Sequence, residues 1–175
     1  MSRMVAVELP FWKIDARINA AYGPIMSNIS KQALSAFQFA STITVEQLNR
    51  WSPGTMVEHL AIEFVECGHD FLRARMPVDA RTVQPFGQLH GGASVTLAET
   101  LGSVASICCL DIEKQYAVGV EINANHLRAV RTGFVYGTVT PIHVGRRTHV
   151  WDIRIADDAQ NPVCISRLTT MILDK

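Results

Sequence analysis

A single carboxylate in a long apolar stretch is the first feature of this sequence that could do chemistry. Between His90 and Leu110, Glu99 is the only formally charged side chain. Burying a carboxylate is costly, so such a group is expected to be paired, protonated or functional. Ser103 follows four residues later, which would place its hydroxyl on the same face of a helix. The residues alone leave two interpretations open: a functional carboxylate, or one that is held at a helix rim or by an arginine of a neighbouring sheet.

A pair of glycines at the start of the same stretch could polarise a carbonyl group. His90-Gly91-Gly92 would place two residues without side chains at the N-terminus of a helix. The first N–H groups of a helix lack partners within it and carry the positive end of its dipole, so a ligand oxygen can approach them. This is the chemistry of an oxyanion hole. A tight turn from the loop into the helix is the alternative explanation.

The distance between these two features indicates a site that is shared between two copies of the chain. Glu99 lies nine residues beyond His90, which is roughly 13 Å along a helix axis. The carboxylate and the glycine amides of one chain therefore cannot hold the same reacting atom. A second copy of the helix, antiparallel across a two-fold axis, would bring the glycines of one chain near the Glu99 of its partner.

The elements around this helix predict an antiparallel sheet. Two strand-like runs precede the helix, at about 62–66 and 71–76. Four more follow it, at about 115–127, 133–142, 147–156 and 163–173. Short links between successive strands are typical of antiparallel pairing. Because the helix is apolar nearly all round, we expect an α+β fold in which one long buried helix is wrapped by a sheet of about six strands.

The chain divides into an N-terminal extension and a larger domain. Residues 1–43 contain two modest helical patterns and have no assigned role. They could be a docked helical arm, a targeting peptide or sequence upstream of a start at Met26. Thr44 and Gln47 then predict a capping box, which opens the domain at 44–175.

Composition argues against several classes of function. The 175 residues carry 16 basic and 16 acidic side chains, and this neutral balance disfavours a nucleic-acid-binding protein. No apolar stretch is long and uncharged enough for a transmembrane helix, so we expect no membrane partner. The 4 cysteines and 6 histidines have no metal-ligand spacing, so neither a metal site nor a disulfide framework is predicted. Reduced cysteines agree with a cytoplasmic location.

Four segments resemble the signature of a known enzyme family. Gln84–Ser94, with the sequence QPFGQLHGGAS, and Leu97–Ser103, with the sequence LAETLGS, are similar to hot-dog-fold acyl-CoA thioesterases. The branch is the 4-hydroxybenzoyl-CoA and phenylacetic-acid type with a glutamate on the helix. Gly119–His126 and Pro141–Arg146 extend the resemblance, which covers about residues 44–173. The bacterial 1,4-dihydroxy-2-naphthoyl-CoA thioesterases and their proofreading relatives are the members that it resembles most.

The resemblance implies a role for each matching residue. Glu99 matches the catalytic carboxylate, which acts either as a nucleophile or as a base that activates water. The Gly91 N–H would polarise the thioester carbonyl, with His90 beside it. Gln84 would assist at the carbonyl or orient water, and Ser103 supplies a hydroxyl near the carboxylate. The positions that would bind coenzyme A are Gly119, His126, Leu127, Arg128, Ala129, His143, Gly145, Arg146, Arg147 and Thr148.

The resemblance also implies a reaction and an assembly. The reaction is hydrolysis of an acyl-CoA thioester, with an aromatic or medium-size acyl group, to a free acid and coenzyme A. No cofactor takes part, since coenzyme A belongs to the substrate. The assembly is a homodimer whose sheets pair edge to edge, often doubled to a homotetramer. The alternatives are a non-catalytic acyl-CoA-binding protein, a thioesterase for carrier-protein-bound acyl groups, and a dehydratase of the same fold, which the Pro85-Phe86-Gly87 sequence disfavours.

Overall fold

A computed structural model of the protein describes Phe39 and residues 43–175. The helices of this part are α1 (Val45–Asn49), α2 (Met56–His59) and α3 (Gly91–Ile107). The strands are β1 (Glu63–Cys67), β2 (Leu72–Pro77), β3 (Gln115–His126), β4 (Phe134–Val144), β5 (Thr148–Asp157) and β6 (Pro162–Asp174). Every helix and strand predicted for these residues is present, with ends that differ by a few residues. The two helical patterns predicted within residues 1–43 lie outside the described residues.

All six strands form one antiparallel sheet in the order β1-β2-β4-β5-β6-β3. The long helix α3 connects β2, near one edge of this sheet, to β3, which is the opposite edge. It packs across one face of the sheet and contacts strands from β2 to β3. The predicted architecture of one long helix against about six antiparallel strands is therefore confirmed.

Close packing holds α3 against the sheet. Leu97 and Leu101 are fully buried on the face of α3 that meets the strands. A Cβ atom at Gly137 of β4 would lie only 2.5 Å from a methyl carbon of Leu101, and one at Gly102 would lie equally close to Leu168. Glycine at these two positions therefore lets backbone and leucine side chains approach within van der Waals distance.

The opposite face of α3 is only half-buried, although the sequence predicts burial nearly all round. Thr96, Glu99 and Ser103 all lie on this second face and are partly exposed. The physical reason is geometric, because the sheet covers a single side of the helix. Helix α3 thus carries more apolar residues than the sheet of its own chain covers.

The side-chain hydrogen bonds at the start of the domain agree with the prediction from the sequence. The Thr44 side chain accepts a hydrogen bond from the Gln47 N–H at 3.3 Å, and the Gln47 side chain accepts one from the Thr44 N–H at 2.9 Å. This reciprocal pair is the predicted capping box of α1. Upstream of it, Phe39 is buried and stacks on Trp151, with ring centroids 6.2 Å apart. A residue of the predicted extension therefore contributes to the core beneath the sheet.

The four cysteines are free thiols. Burial raises the pKa values of Cys108 and Cys109 to about 12, so these two remain protonated at neutral pH and are weak nucleophiles. No helix in the described part of the chain is long and apolar enough to cross a membrane.

A buried polar cluster lies beneath the C-terminal end of α3. The Trp151 indole N–H donates to the Ser106 hydroxyl at 2.8 Å, and that hydroxyl lies 2.8 Å from the hydroxyl of Thr170. His149 packs edge-on against Trp151 and is only 2% exposed. Its Nδ1 atom has no hydrogen-bond partner. Burial therefore lowers the pKa of His149 below its ordinary value of 6.5.

This buried histidine predicts a pH dependence of stability. In the window below pH 6.5 the unfolded chain binds a proton at His149 that the folded chain does not bind. The free energy of unfolding should therefore decrease as the pH falls from 7.5 to about 5.5, above the range where carboxylates titrate. Urea unfolding at a series of pH values measures this slope. The slope should flatten in His149→Phe and persist in the exposed-site control His69→Phe, and equal slopes in both variants would contradict the assignment.

Candidate active site

The N-terminus of α3 leaves one backbone donor without a partner. The Leu89 N–H donates to the Val130 carbonyl at 2.7 Å, and the His90 N–H donates to the Thr82 carbonyl at 2.8 Å. The His90 side chain caps the helix, since its Nδ1 accepts the Gly92 N–H at 2.8 Å. Among the described residues no acceptor meets the Gly91 N–H. His90 therefore acts on the helix itself, and Gly91 presents the available amide.

The space in front of Gly91 requires a residue without a side chain. A Cβ atom at this position would lie 2.7 Å from Nε2 of His126, which stands at the end of β3. Glycine thus allows the imidazole to sit directly over the first turn of α3. Packing of α3 against the edge strand β3 therefore brings the predicted residues Gly91 and His126 together.

The loop before α3 fixes the orientation of Gln84. Its backbone closes a turn, with the Gly87 N–H donating to the Gln84 carbonyl at 2.9 Å, and Gly87 has a φ of +70° that favours glycine. The Gln84 side-chain oxygen accepts the Phe86 N–H. Arg131 braces the same loop by donating to the Phe86 carbonyl at 3.1 Å. With its oxygen engaged, Gln84 presents its amide N–H groups as donors.

These groups line a first cavity of about 340 Å³, which we call the donor cavity. It unites six of the residues that the sequence predicted for the site. Four lining residues were not predicted, and they lie beside predicted ones in the loop, in the first turn of α3 or on β6. The predicted members are Gln84, Gly91, His126, Leu127, Arg128 and Ala129, and the others are Gln88, Leu89, Ser94 and Val163.

Glu99 lies in the third turn of α3, beside a hydroxyl and a glycine. The Ser103 hydroxyl donates to Oε1 of Glu99 at 3.2 Å. On β3, a Cβ atom at Gly119 would lie 2.5 Å from the same oxygen, so only glycine leaves room for the carboxylate there. The predicted residues Glu99, Ser103 and Gly119 therefore meet at one point.

Glu99 and Ser103 line a second cavity of about 560 Å³, which we call the carboxylate cavity. Most of its wall was not predicted. Helix periodicity would have found the residues of α3, because they lie on the same face as Glu99. The lining residues of α2 and β3 reach the cavity because these elements pack beside α3, and no sequence pattern indicates them. The additional lining residues are Met56, Val57, Val95, Thr96, Thr100, Val104 and Ile122.

The two cavities share no lining residue within the described chain. The donor cavity lies at the first turn of α3, and the carboxylate cavity lies along the following turns, from Val95 to Val104. One holds the amide donors of Gly91 and Gln84, and the other holds the carboxylate of Glu99. A single chain therefore carries the amide donors and the carboxylate at separate places.

The remaining predicted residues lie at the turn between β4 and β5 and line neither cavity. The turn is closed by the Gly145 N–H, which donates to the Thr148 carbonyl at 3.0 Å. Arg147 makes an exposed ion pair with Asp174 at 3.3 Å. A role of His143, Gly145, Arg146, Arg147 and Thr148 in binding coenzyme A stays a prediction.

Comparisons with known proteins agree with this geometry. The Thioesterase superfamily profile matches residues 86–164. The chain is 55% identical over 131 residues to the 1,4-dihydroxy-2-naphthoyl-CoA hydrolase of Escherichia coli, covering 75% of this chain and 96% of that protein. It is 53% identical over 131 residues to the proofreading thioesterase EntH of Cronobacter sakazakii, covering 75% of this chain and 95% of the relative.

Solved structures give the same result. A mutant thioesterase from Pseudomonas aeruginosa superposes with a TM-score of 0.78 at 48% identity, covering 79% of this chain and 100% of that chain. A thioesterase from Haemophilus influenzae gives a TM-score of 0.75 at 48% identity, covering 79% and 96%. The chain therefore belongs to the thioesterase superfamily, and its fold is the hot-dog fold. The predicted family and fold are confirmed, and the reaction class is thioester hydrolysis.

The contact between Gly119 and Glu99 predicts a variant that loses activity but not stability. In Gly119→Ala the new Cβ displaces the carboxylate, which is the flexible end of its side chain, so kcat should fall on the order of 10²-fold while Tm changes little. Thiol release and thermal unfolding measure the two quantities. The control Gly137→Ala strains the core leucines of α3 and should lower Tm more than kcat. Full activity of Gly119→Ala would contradict a role in the reaction for the Glu99 carboxylate at this position.

Proposed function

We propose that the chain hydrolyses acyl-CoA thioesters at sites that each combine the donor cavity of one copy with the carboxylate cavity of a second copy. The observation that carries the proposal is the arrangement of Glu99. Among the described residues it is the only charged group lining its cavity, and it is held by Ser103 and a facing glycine. The matching donors, Gly91 and Gln84, line the other cavity.

The proposed chemistry needs a nucleophile at the carbonyl carbon and donors at the carbonyl oxygen. Either Glu99 takes a proton from a water molecule whose oxygen attacks the carbon, or the carboxylate attacks directly and water later hydrolyses the resulting anhydride. The carbonyl oxygen becomes an oxyanion, which the Gly91 N–H and the positive end of α3 stabilise. The C–S bond then breaks, and the sulfur leaves as the thiol of coenzyme A after it gains a proton. Water is the only co-reactant.

Coenzyme A as the leaving group is supported by positive charge near the donor cavity. Arg128 lines that cavity, two residues beyond His126. The name of the Escherichia coli relative also specifies a coenzyme A thioester. These observations favour acyl-CoA over acyl groups on a carrier protein.

Assembly through β3 would complete the site. This strand is an edge of the sheet, with Tyr116, Val118 and Val120 exposed along its first half. A long exposed edge with apolar side chains is a template for pairing with another strand. Pairing of two β3 strands across a two-fold axis would set the half-buried faces of two α3 helices antiparallel to each other. The proposed unit is therefore a homodimer, and a dimer of dimers builds on it.

The proposal is tested by the conservative variant Glu99→Gln. Loss of the charge removes both the nucleophile and the base, so kcat for acyl-CoA hydrolysis should fall by about 10²-fold or more. Thiol release with an Ellman-type reagent measures kcat, and circular dichroism verifies the fold. The matched control is Glu66→Gln, which neutralises an exposed carboxylate on β1, the opposite edge of the sheet, whose partner is Arg73 at 3.9 Å; it should retain wild-type activity. A Glu99→Gln protein with more than about a tenth of wild-type kcat would refute the proposal.

A further inference from the structure

One wall of the carboxylate cavity comes from a separate element, the short helix α2. Met56 and Val57 line the cavity together with Glu99 and the half-buried face of α3. Met56 lines this cavity while the residue as a whole is 60% exposed. This pairing of a catalytic group with an exposed thioether identifies α2 as the element that bounds the space around Glu99.

The backbone of α2 is fixed at both ends. The Thr55 hydroxyl donates to the Ser52 carbonyl at 2.6 Å and accepts the Val57 N–H at 3.2 Å. The Gly54 N–H donates to the Glu58 carboxylate at 2.7 Å. Leu60, directly after the helix, is buried and anchors it to the core. The main chain at Met56 is therefore held in place, and only its side chain is free to adjust.

The chemistry of the cavity points to an apolar acyl group. Apart from Glu99, no lining residue of the described chain is charged. Of the three hydroxyls in the wall, those of Thr96, Thr100 and Ser103, two are engaged: Thr96 donates to the Gly92 carbonyl at 2.9 Å, and Ser103 donates to Glu99. The volume of about 560 Å³ lies within the range of small-molecule sites. Methionine fills such a space adaptably, because it is unbranched and rotates about three bonds.

We propose that Met56 is a specificity-determining residue, whose side chain closes one end of the carboxylate cavity and sets the size of the apolar acyl group that the enzyme accepts. The proposal rests on the proposed function, since it places the acyl group beside Glu99. Helix α2 then takes part in substrate selection, because the volume of the side chain at position 56 decides which acyl groups fit.

The experiment compares Met56→Ala and Met56→Trp with the wild type over acetyl-, hexanoyl-, decanoyl- and benzoyl-CoA. In Met56→Trp, kcat/KM should decrease more for long acyl groups than for short ones. The ratio of kcat/KM for decanoyl-CoA to kcat/KM for acetyl-CoA should be at least about tenfold lower than in the wild type. In Met56→Ala, the preferred acyl group should become longer. The matched controls are Met171→Ala and Met171→Trp, which alter an exposed methionine between the buried Thr170 and Ile172 on β6. Their acyl-size profile should parallel that of the wild type.

Binding separates this proposal from the proposed function. S-alkyl-CoA thioethers of the same lengths cannot be hydrolysed, and calorimetry gives their Kd values for each variant. A length-dependent shift of Kd in the Met56 variants supports the proposal even if the wild type hydrolyses no acyl-CoA, which would defeat the proposed function alone. Acyl-size and alkyl-length profiles that stay parallel to the wild type in both Met56 variants would overturn the role of Met56.

Discussion

The rise of a single helix is the constraint on which the functional account depends. Helix α3 carries the Gly91 amide at its first turn and Glu99 two turns later, and an α-helix of this rigidity cannot bring them together. The two groups accordingly line different cavities. Any site that uses both must take one from each of two helices. The half-buried face of α3, the open edge of β3 and the separation of the cavities are consistent with this single geometric fact.

The sheet serves to hold that helix at a close distance. Glycines at the contacts let backbone, leucines and the Glu99 carboxylate approach without a Cβ between them. At Gly102 and Gly137 this proximity stabilises the core, whereas at Gly91 and Gly119 it creates room for an imidazole and a carboxylate. Glycine thus permits close packing of the core in two places and close approach of the proposed site residues in two others.

Most of the fold follows from the sequence, because period, breakers and apolar composition specify α3 and the strands directly. Glu99 is found from its isolation in an apolar run, and Ser103 from its spacing. Gly119 is different, since its contact with Glu99 depends on how β3 pairs with β6, and only the family resemblance indicated it. Met56 has no sequence signal at all, because α2 reaches the cavity through tertiary packing. The burial of Phe39 against Trp151 is likewise a product of packing between distant segments.

The central claim, that one site draws on two chains, is tested most directly by complementation between two variants that each lack one of the two groups and are first assayed separately. Glu99→Gln and Gln84→Ala chains are mixed in equal amounts, unfolded, refolded together and assayed for thiol release. In a shared site, half of the random dimers contain one intact pair of groups, so activity should recover to about a quarter of the wild-type value. If each chain holds its own complete site, no site in a mixed dimer contains both groups. Activity that stays at the mean of the two separate variants would therefore contradict the account.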